Sequence, residues 1–201
     1  MRFFLLRGFS SVYACDLTPK AVELTKKSIS IFNLPPATIE VGNAENLSYP
    51  DNFFDHVNCQ GVIHHTPDTA QCIKEFHRIL KPGGTVCFSV YYKNFILRSP
   101  VLLKICSLLS KFIKLHGRGR EYLLQDVSAD EIVRRYDGID NPIGKSYTKQ
   151  DIFNLLRGLF TIEQETLIYF PARAMPFSIP KPIHKWASKN FGFMIVLKCR
   201  K

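Results

Sequence analysis

Short runs of β-branched and aromatic residues alternate with helical patterns, and this alternation constrains the fold more than any other feature of the sequence. Strands that alternate with helices are typical of an α/β domain built on a mainly parallel sheet. We therefore predict an α/β, Rossmann-like fold. The strand-like runs are residues 11–15, 38–41, 54–59 and 85–92, and the helical patterns between them are residues 19–32 and 67–80.

The alternation of strand-like and helical segments ends after residue 93. Residues 94–140 contain two helical patterns and no clear strand, so we interpret them as a helical insertion or cap. This predicts three parts: a core over residues 1–93, the insertion, and the C-terminal part of the same core over residues 141–201.

The C-terminal part begins with a helix and ends with two strands. Thr148 and Asp151 have the spacing of a capping box, which predicts a helix that runs through Leu156. Runs at 160–170 and 191–198 follow, separated by a proline-rich loop. We predict that these two strands form an antiparallel pair.

Length and composition favour one domain with a substantial core. The chain has 201 residues, 46% of them hydrophobic, and no apolar run long enough to span a bilayer. The first ten residues lack the features of a secretory signal. None of the six cysteines is spaced as CxxC. We expect reduced thiols, no metal site and a cytoplasmic protein, with membrane association left open.

The net charge of +10 is distributed unevenly. Residues 76–120 and 166–201 contain no Asp or Glu, although 16 of the 27 Lys and Arg residues lie there. Such a local positive field favours an anionic substrate, an anionic membrane surface or nucleic acid, and plain solubility is an equal alternative. Nucleic acid is disfavoured because the sequence has no recognised binding motif.

Five segments occur in an order and spacing that resemble class I S-adenosylmethionine-dependent methyltransferases, and most of all the branch that contains the ubiquinone and menaquinone biosynthesis methyltransferases. The resemblance is specific from residue 12 to about residue 92. The segments are residues 16–23 (DLTPKAVE), 41–47 (VGNAENL), 50–55 (PDNFFD), 61–68 (GVIHHTPD) and 77–84 (HRILKPGG).

The resemblance implies S-adenosylmethionine as the cofactor and places its contacts at strand ends, where open α/β sheets bind ligands. Asp16 would accept from the ribose hydroxyls; a helix-capping aspartate is the alternative, but Thr18 is expected to cap that helix. Asn43 would accept from the adenine amino group, unless it is an ordinary turn residue. The backbone at Gly61 can approach the methionyl part closely. Further cofactor contacts are expected at Leu17, Ala44, Gln60 and Val62.

His64 and His65 are the candidates for acid–base work, because imidazole titrates near neutrality. Either could take a proton from the methyl acceptor or orient it, with His65 the stronger candidate. A sulfonium methyl group is already activated, so positioning can supply much of the rate.

The first strand and the glycine-rich loop that open similar enzymes are missing upstream of Asp16. We expect the chain to be part of a longer enzyme. Direct pairing of the two flanking strands and a strand from another chain are alternatives. A non-catalytic binding protein that has lost the loop is the second functional hypothesis, and a nicotinamide-dependent Rossmann enzyme is the third.

The acceptor is expected to be small or amphiphilic. Residues 100–116 combine a wide apolar face with a lysine stripe, which indicates either a cap helix over the active site or contact with anionic lipid. Residues 177–186 repeat this mixture, and residues 136–142 form a candidate substrate-side loop. Oligomeric state is left open.

Overall fold

The computed structural model describes residues 2–110, 128–138, 141–170 and 178–201, and the side chains of all of these except residues 2, 3, 106, 109 and 110. The chain divides into two compact units, Met1–Pro50 and Asp51–Lys201. The division at residues 93 and 140 stays a prediction. Within the described residues, no helix is both long and apolar enough to cross a membrane.

The first unit is a small parallel βαβ arrangement. Its elements are α1 (Arg2–Leu6), β1 (Tyr13–Asp16), α2 (Pro19–Ile31) and β2 (Thr38–Val41). Pro19 is the first residue of α2, where a backbone N–H would have no partner within the helix, so proline fits this position. β1 and β2 pair in parallel, with Asp16 opposite Val41. The strands and the helix predicted for this region are thus confirmed to within two residues.

The second unit is built on a mixed sheet in the order β3-β4-β7-β6, with β5 also paired to β4. The elements are β3 (Phe54–Gln60), a 3-10 turn (Ile63–His65), α3 (Thr69–Ile79), β4 (Leu80–Tyr92), α4 (Phe95–Arg98), α5 (Pro100–Ser110), α6 (Ala129–Asp137), β5 (Ser146–Tyr147), α7 (Lys149–Leu156), β6 (Thr161–Ile168), α8 (Lys181–Phe191) and β7 (Met194–Arg200).

Strand β4 lies at the centre of this sheet. It pairs in parallel with β3 and β5, and antiparallel with β7. β6 and β7 form the antiparallel C-terminal pair that the sequence predicts. The capping box at the start of α7 is also confirmed, since the Thr148 hydroxyl and the Asp151 carboxylate each bond the other residue's backbone N–H.

Two local predictions are wrong. β6 and β7 are connected by α8 where a proline-rich loop was expected. Pro180 and Pro182 occupy the N-cap and first turn of α8, where a missing N–H costs nothing. The Lys-Pro-Gly-Gly sequence of residues 81–84 is typical of a helix stop followed by a turn, but the structure has a bulge inside β4 there. Phe54 pairs with Leu80, while His56 already pairs with Thr85.

The predicted insertion contributes to the core of the second unit. Ile132 and Val133 of α6 are buried in one cluster with Tyr91, Leu97 and Phe193. This packing fixes α6 against the end of β4 that carries Tyr91. Residues 111–127 and 139–140 of the predicted insertion lie outside the described residues, and so does residue 177 of the second apolar and basic segment.

Candidate functional site

Two of the predicted cofactor-binding residues lie at one edge of the β1–β2 sheet. β1 ends at Asp16, and Asn43 follows the end of β2. The Gly42 backbone N–H donates to the Asp16 carbonyl at 3.0 Å and ties the two strand ends together. A Cβ on Gly42 would lie 3.0 Å from the Cβ of Cys15, so glycine permits this close approach. The structure therefore brings Asp16 and Asn43 to the same carboxyl edge.

The Asp16 carboxylate is exposed and held in place by its own chain. Its Oδ1 accepts from the Thr18 backbone N–H at 2.9 Å and from the Thr18 hydroxyl at 2.8 Å. Thr18 is the N-cap residue of α2, as expected, but its side chain makes no capping bond and donates to Asp16 instead. Within the described part of the chain, Oδ2 of Asp16 makes no hydrogen bond, so one carboxylate oxygen remains for a ligand. Leu17 beside it is 68% exposed.

Asn43 has a structural role at the end of β2. Its Oδ1 accepts from the Glu45 backbone N–H at 3.0 Å, and its backbone bridges to Asn46. This is the ordinary turn role of asparagine. An amide oxygen has two lone pairs, so Oδ1 can accept a second hydrogen bond. Ala44 next to it is half-buried. Adenine recognition by Asn43 and Ala44 stays a prediction.

Gly61 follows β3 with a left-handed backbone, φ +73°, which favours glycine. Its N–H donates to the Ser89 hydroxyl of β4 at 2.9 Å, and no atom lies within 4 Å of the position of a Cβ. Gln60 is exposed and donates from Nε2 to the Cys87 carbonyl at 3.1 Å, and Val62 is 46% exposed. The backbone at Gly61 is thus open on the side where a Cβ would stand.

The 3-10 turn places the two histidines in different surroundings. His64 is 1% exposed, its ring centroid lies 4.5 Å from that of Tyr91, and its Nδ1 has no hydrogen-bond partner among the described residues. Burial lowers the pKa of His64 to about 4, and the neighbouring positive charge of His65 acts in the same direction. His64 is therefore neutral at physiological pH.

His65 is held between two oxygen acceptors. Its Nε2 lies 2.8 Å from Oδ2 of Asp137, and its Nδ1 lies 2.7 Å from the Ile143 carbonyl oxygen. Asn141 Nδ2 is farther from Nδ1, at 3.0 Å, so the shorter contact to the carbonyl assigns a proton to Nδ1. Burial opposes protonation, but the hydrogen bonds to Asp137 and Ile143 outweigh it, and the pKa of His65 is raised.

Asp137 links His65 to Tyr91. The Tyr91 hydroxyl donates to Oδ1 of Asp137 at 2.5 Å, while Oδ2 faces His65. Burial raises the pKa of Asp137, but hydrogen bonds from His65 and Tyr91 outweigh burial, and the net pKa is lowered. We call His65, Asp137 and Tyr91 the His–Asp–Tyr network. Sequence reasoning marked residues 136–142 as a substrate-side loop but missed the role of Asp137.

The same cluster contains the residue types of a metal site. His64, His65 and Asp137 each offer a ligand atom, and these atoms lie within 4.8 Å of one another. However, His65 and Asp137 are joined by a 2.8 Å hydrogen bond, and Asp137 also accepts a hydrogen bond from Tyr91. The geometry is therefore that of a hydrogen-bonded network.

Comparison with known proteins shows similarity to methyltransferases. The methyltransferase domain model matches residues 1–88. The demethylmenaquinone methyltransferase of Geobacillus stearothermophilus is 35% identical over 77 residues, which cover 38% of this chain and 33% of the relative. That of Anoxybacillus flavithermus is 29% identical over 150 residues, which cover 68% of this chain and 62% of the relative. Over residues 1–88 the chain is thus similar to the methyltransferase domain family, and the relatives that it matches are named methyltransferases.

Solved structures agree with the fold of this chain. An S-adenosylmethionine-dependent methyltransferase from Mesorhizobium loti superimposes with a TM-score of 0.63 at 19% identity, and the match covers 100% of this chain and 84% of that one. The predicted Rossmann-like fold is confirmed. The chain matches about a third of the length of the first Geobacillus relative.

We predict that replacing Asp137 with Asn lowers the pKa of His65. The neutral amide removes the charge that stabilises the imidazolium, so the pKa should fall by about one unit or more. An NMR titration of the histidine ring protons measures it directly. Asp55→Asn is the control, since Asp55 is exposed and pairs with Lys81. An unchanged His65 pKa in Asp137→Asn would contradict the assigned network.

We also predict an acid-dependent loss of stability caused by His64. Its pKa in the folded state, about 4, lies below the usual 6.5. The stability it contributes is therefore present above pH 6.5 and is lost as the pH falls toward 4, since the unfolded chain then binds the extra proton. Between pH 7 and pH 5 the loss amounts to about 2 kcal/mol.

The variant His64→Phe keeps a ring against Tyr91 and removes this titration. Urea unfolding at the two pH values should show a smaller acid-induced loss in the variant than in the parent protein. An equal loss in both proteins would mean that His64 titrates normally in the folded chain.

Proposed function

We propose that this chain carries out methyl transfer from S-adenosylmethionine to a small or amphiphilic acceptor. The observation that supports it most is the position of the motif residues. Asp16 is the last residue of β1, Asn43 follows β2 and Gly61 follows β3, and all three lie within the segment that matches the methyltransferase domain. Ligands of open α/β sheets bind at such strand ends.

The residues of the first unit fit the nucleoside part of the cofactor. Asp16 offers Oδ2, and two bonds from Thr18 to Oδ1 hold the carboxylate without using that oxygen. A carboxylate oxygen accepts strongly from ribose hydroxyls. Asn43 and the Ala44 N–H would contact adenine, and Leu17 provides exposed apolar surface beside Asp16.

In the second unit, the open backbone at Gly61 suits the methionyl end of the cofactor, flanked by Gln60 and Val62. The bond from the Gly61 N–H to Ser89 fixes this turn before any ligand arrives. Pre-formed sites bind with a smaller loss of conformational entropy.

The His–Asp–Tyr network disfavours proton removal, which is one of the two roles expected for His65. Both ring nitrogens of His65 face oxygen acceptors, so neither presents a lone pair to an acceptor molecule. In its protonated form, His65 would instead provide a positive charge that lowers the pKa of a nearby acceptor hydroxyl. The bound cofactor supplies an already activated methyl group, so positioning the acceptor is the main task left to the protein.

The names of several relatives support an acceptor class. These relatives are named demethylmenaquinone methyltransferases, which favours a ring with an apolar tail. An acceptor of this kind is amphiphilic, as the sequence predicts. A neutral small acceptor is the alternative that the assay below separates.

The assay measures transfer of a labelled methyl group from S-adenosylmethionine to reduced demethylmenaquinone and to a panel of small hydroxylated aromatics. We expect label in the quinol product, and a loss of about tenfold or more in kcat/KM for Asp16→Ala, mainly through the KM for the cofactor. Glu23→Ala, an exposed carboxylate of α2 paired with Lys20, is the matched control and should behave as the parent protein.

Each outcome of this assay is decisive. If label appears only in the small aromatics, methyltransferase activity is supported but the amphiphilic acceptor is contradicted. If the chain binds the cofactor but transfers no label to any acceptor, the result contradicts methyl transfer and supports a non-catalytic binding protein.

A further inference from the structure

Large apolar side chains are exposed on three helices of the second unit. Their exposed fractions lie between 48% and 66%. Scattered exposed apolar residues are normal, but a contiguous group marks an interaction surface. The residues are Phe95 of α4, Val101, Ile105 and Leu108 of α5, and Ile183 and Trp186 of α8.

The spacing of these residues places each set on one helix face. Val101, Ile105 and Leu108 follow the i, i+4, i+7 pattern, which forms a single outward stripe. Leu103 of the same helix packs against the core cluster. In α8, Ile183 and Trp186 are exposed while Ala187 is buried. Both helices thus bury one apolar face and leave a second apolar face in solvent.

Phe191 joins α4 to α8. Its ring centroid lies 5.5 Å from that of Phe95 and 5.3 Å from that of Trp186. The side-chain amide of Asn94 also donates to the Phe191 carbonyl at 3.3 Å. Helix α5 begins two residues after α4 ends, so its exposed stripe follows Phe95 directly along the chain.

Basic residues accompany the apolar ones on these helices. Arg98, Lys104, Lys181, Lys185 and Lys189 are all exposed. None of the five makes an ion pair with any residue that the structure describes, and the sequence has no Asp or Glu in residues 76–120 or 166–201. We call these five residues and the six exposed apolar ones the apolar–basic surface.

We propose that the apolar–basic surface docks on a membrane that contains anionic lipid. Tryptophan and phenylalanine partition into the interfacial region of a bilayer, and lysines next to them are attracted to anionic headgroups. A second copy of the chain fits less well, because two such surfaces would bring like charges together. The inference is independent of methyl transfer and concerns where the chain resides.

Trp186 makes the proposal directly measurable, because it is the one tryptophan in the sequence. The purified chain is titrated with vesicles of phosphatidylcholine containing about 30% phosphatidylglycerol, and with vesicles of phosphatidylcholine alone. We expect a blue shift of tryptophan emission and co-flotation with the anionic vesicles, and weaker binding as salt is added.

Variants separate the two parts of the surface. Lys181→Glu combined with Lys185→Glu should weaken binding by at least about tenfold, since each lysine near the bilayer contributes about fivefold to the affinity. Ile105→Ser combined with Leu108→Ser should weaken it at every salt concentration. The control is Lys26→Glu with Lys27→Glu, which makes the same charge change on exposed positions of α2 and should leave binding unchanged.

Three results would overturn the proposal. The first is an absence of binding to anionic vesicles by the parent chain. The second is equal loss in the control and in the α8 variant, which would show a response to net charge alone. The third is a concentration-dependent dimer in sedimentation that the α8 and α5 variants abolish, which would assign the surface to a second copy.

Discussion

Strand β4 is the element on which the second unit depends. It pairs on both edges, with β3 on one side and β7 on the other, and its last residues also pair with β5. Val86, Phe88 and Val90 are buried on one face of the strand, and Ser89 and Tyr91 are buried on the other face near its carboxyl end. Because β4 is fixed in this way, the side chains at its carboxyl end have fixed positions as well.

Those side chains organise the candidate site. Ser89 accepts the N–H of Gly61, and Tyr91 donates to Asp137 while its ring packs against His64. Helix α6 meets the same end of β4 through the core cluster and delivers Asp137. Packing and hydrogen bonding therefore act on the same few residues, and the position of the histidines follows from the position of β4.

Two adjacent histidines illustrate how surroundings decide protonation. Burial without a carboxylate partner lowers the pKa of His64, whereas hydrogen bonds to Asp137 and Ile143 raise the pKa of His65 despite its partial burial. The ring centroids lie 4.1 Å apart, so a charge on His65 further disfavours a charge on His64. The pKa values of the two imidazoles are thus shifted in opposite directions. Such separation of pKa values is frequent at functional sites.

Local sequence patterns predicted much of the fold. Helix α2, strand β2 and the capping box of α7 were predicted within a residue or two, because periodicity and capping depend on neighbouring residues. The errors involve longer-range effects. Prolines that start α8 resemble a loop when read alone, and the bulge at residues 81–84 is defined only by pairing with β3.

In the candidate site, too, local features were predicted and long-range contacts were missed. Asp16 and Asn43 could be predicted because each follows a strand, and parallel strands end at one edge. The pairing of His65 with Asp137 could not, since these residues are far apart in sequence and meet only because α6 packs on β4. Likewise, Thr18 has the residue type of a cap, but the nearby Asp16 carboxylate takes its hydrogen bond.

The most direct test of the proposed cofactor site is calorimetric titration of S-adenosylhomocysteine into the 201-residue chain and into the chain extended upstream in the same reading frame. We expect micromolar binding to at least one of them, weakened by about tenfold or more in Asp16→Ala and unchanged in Glu23→Ala. Failure of both proteins to bind, or equal binding by Asp16→Ala and the parent, would contradict the assignment of this strand edge to the cofactor.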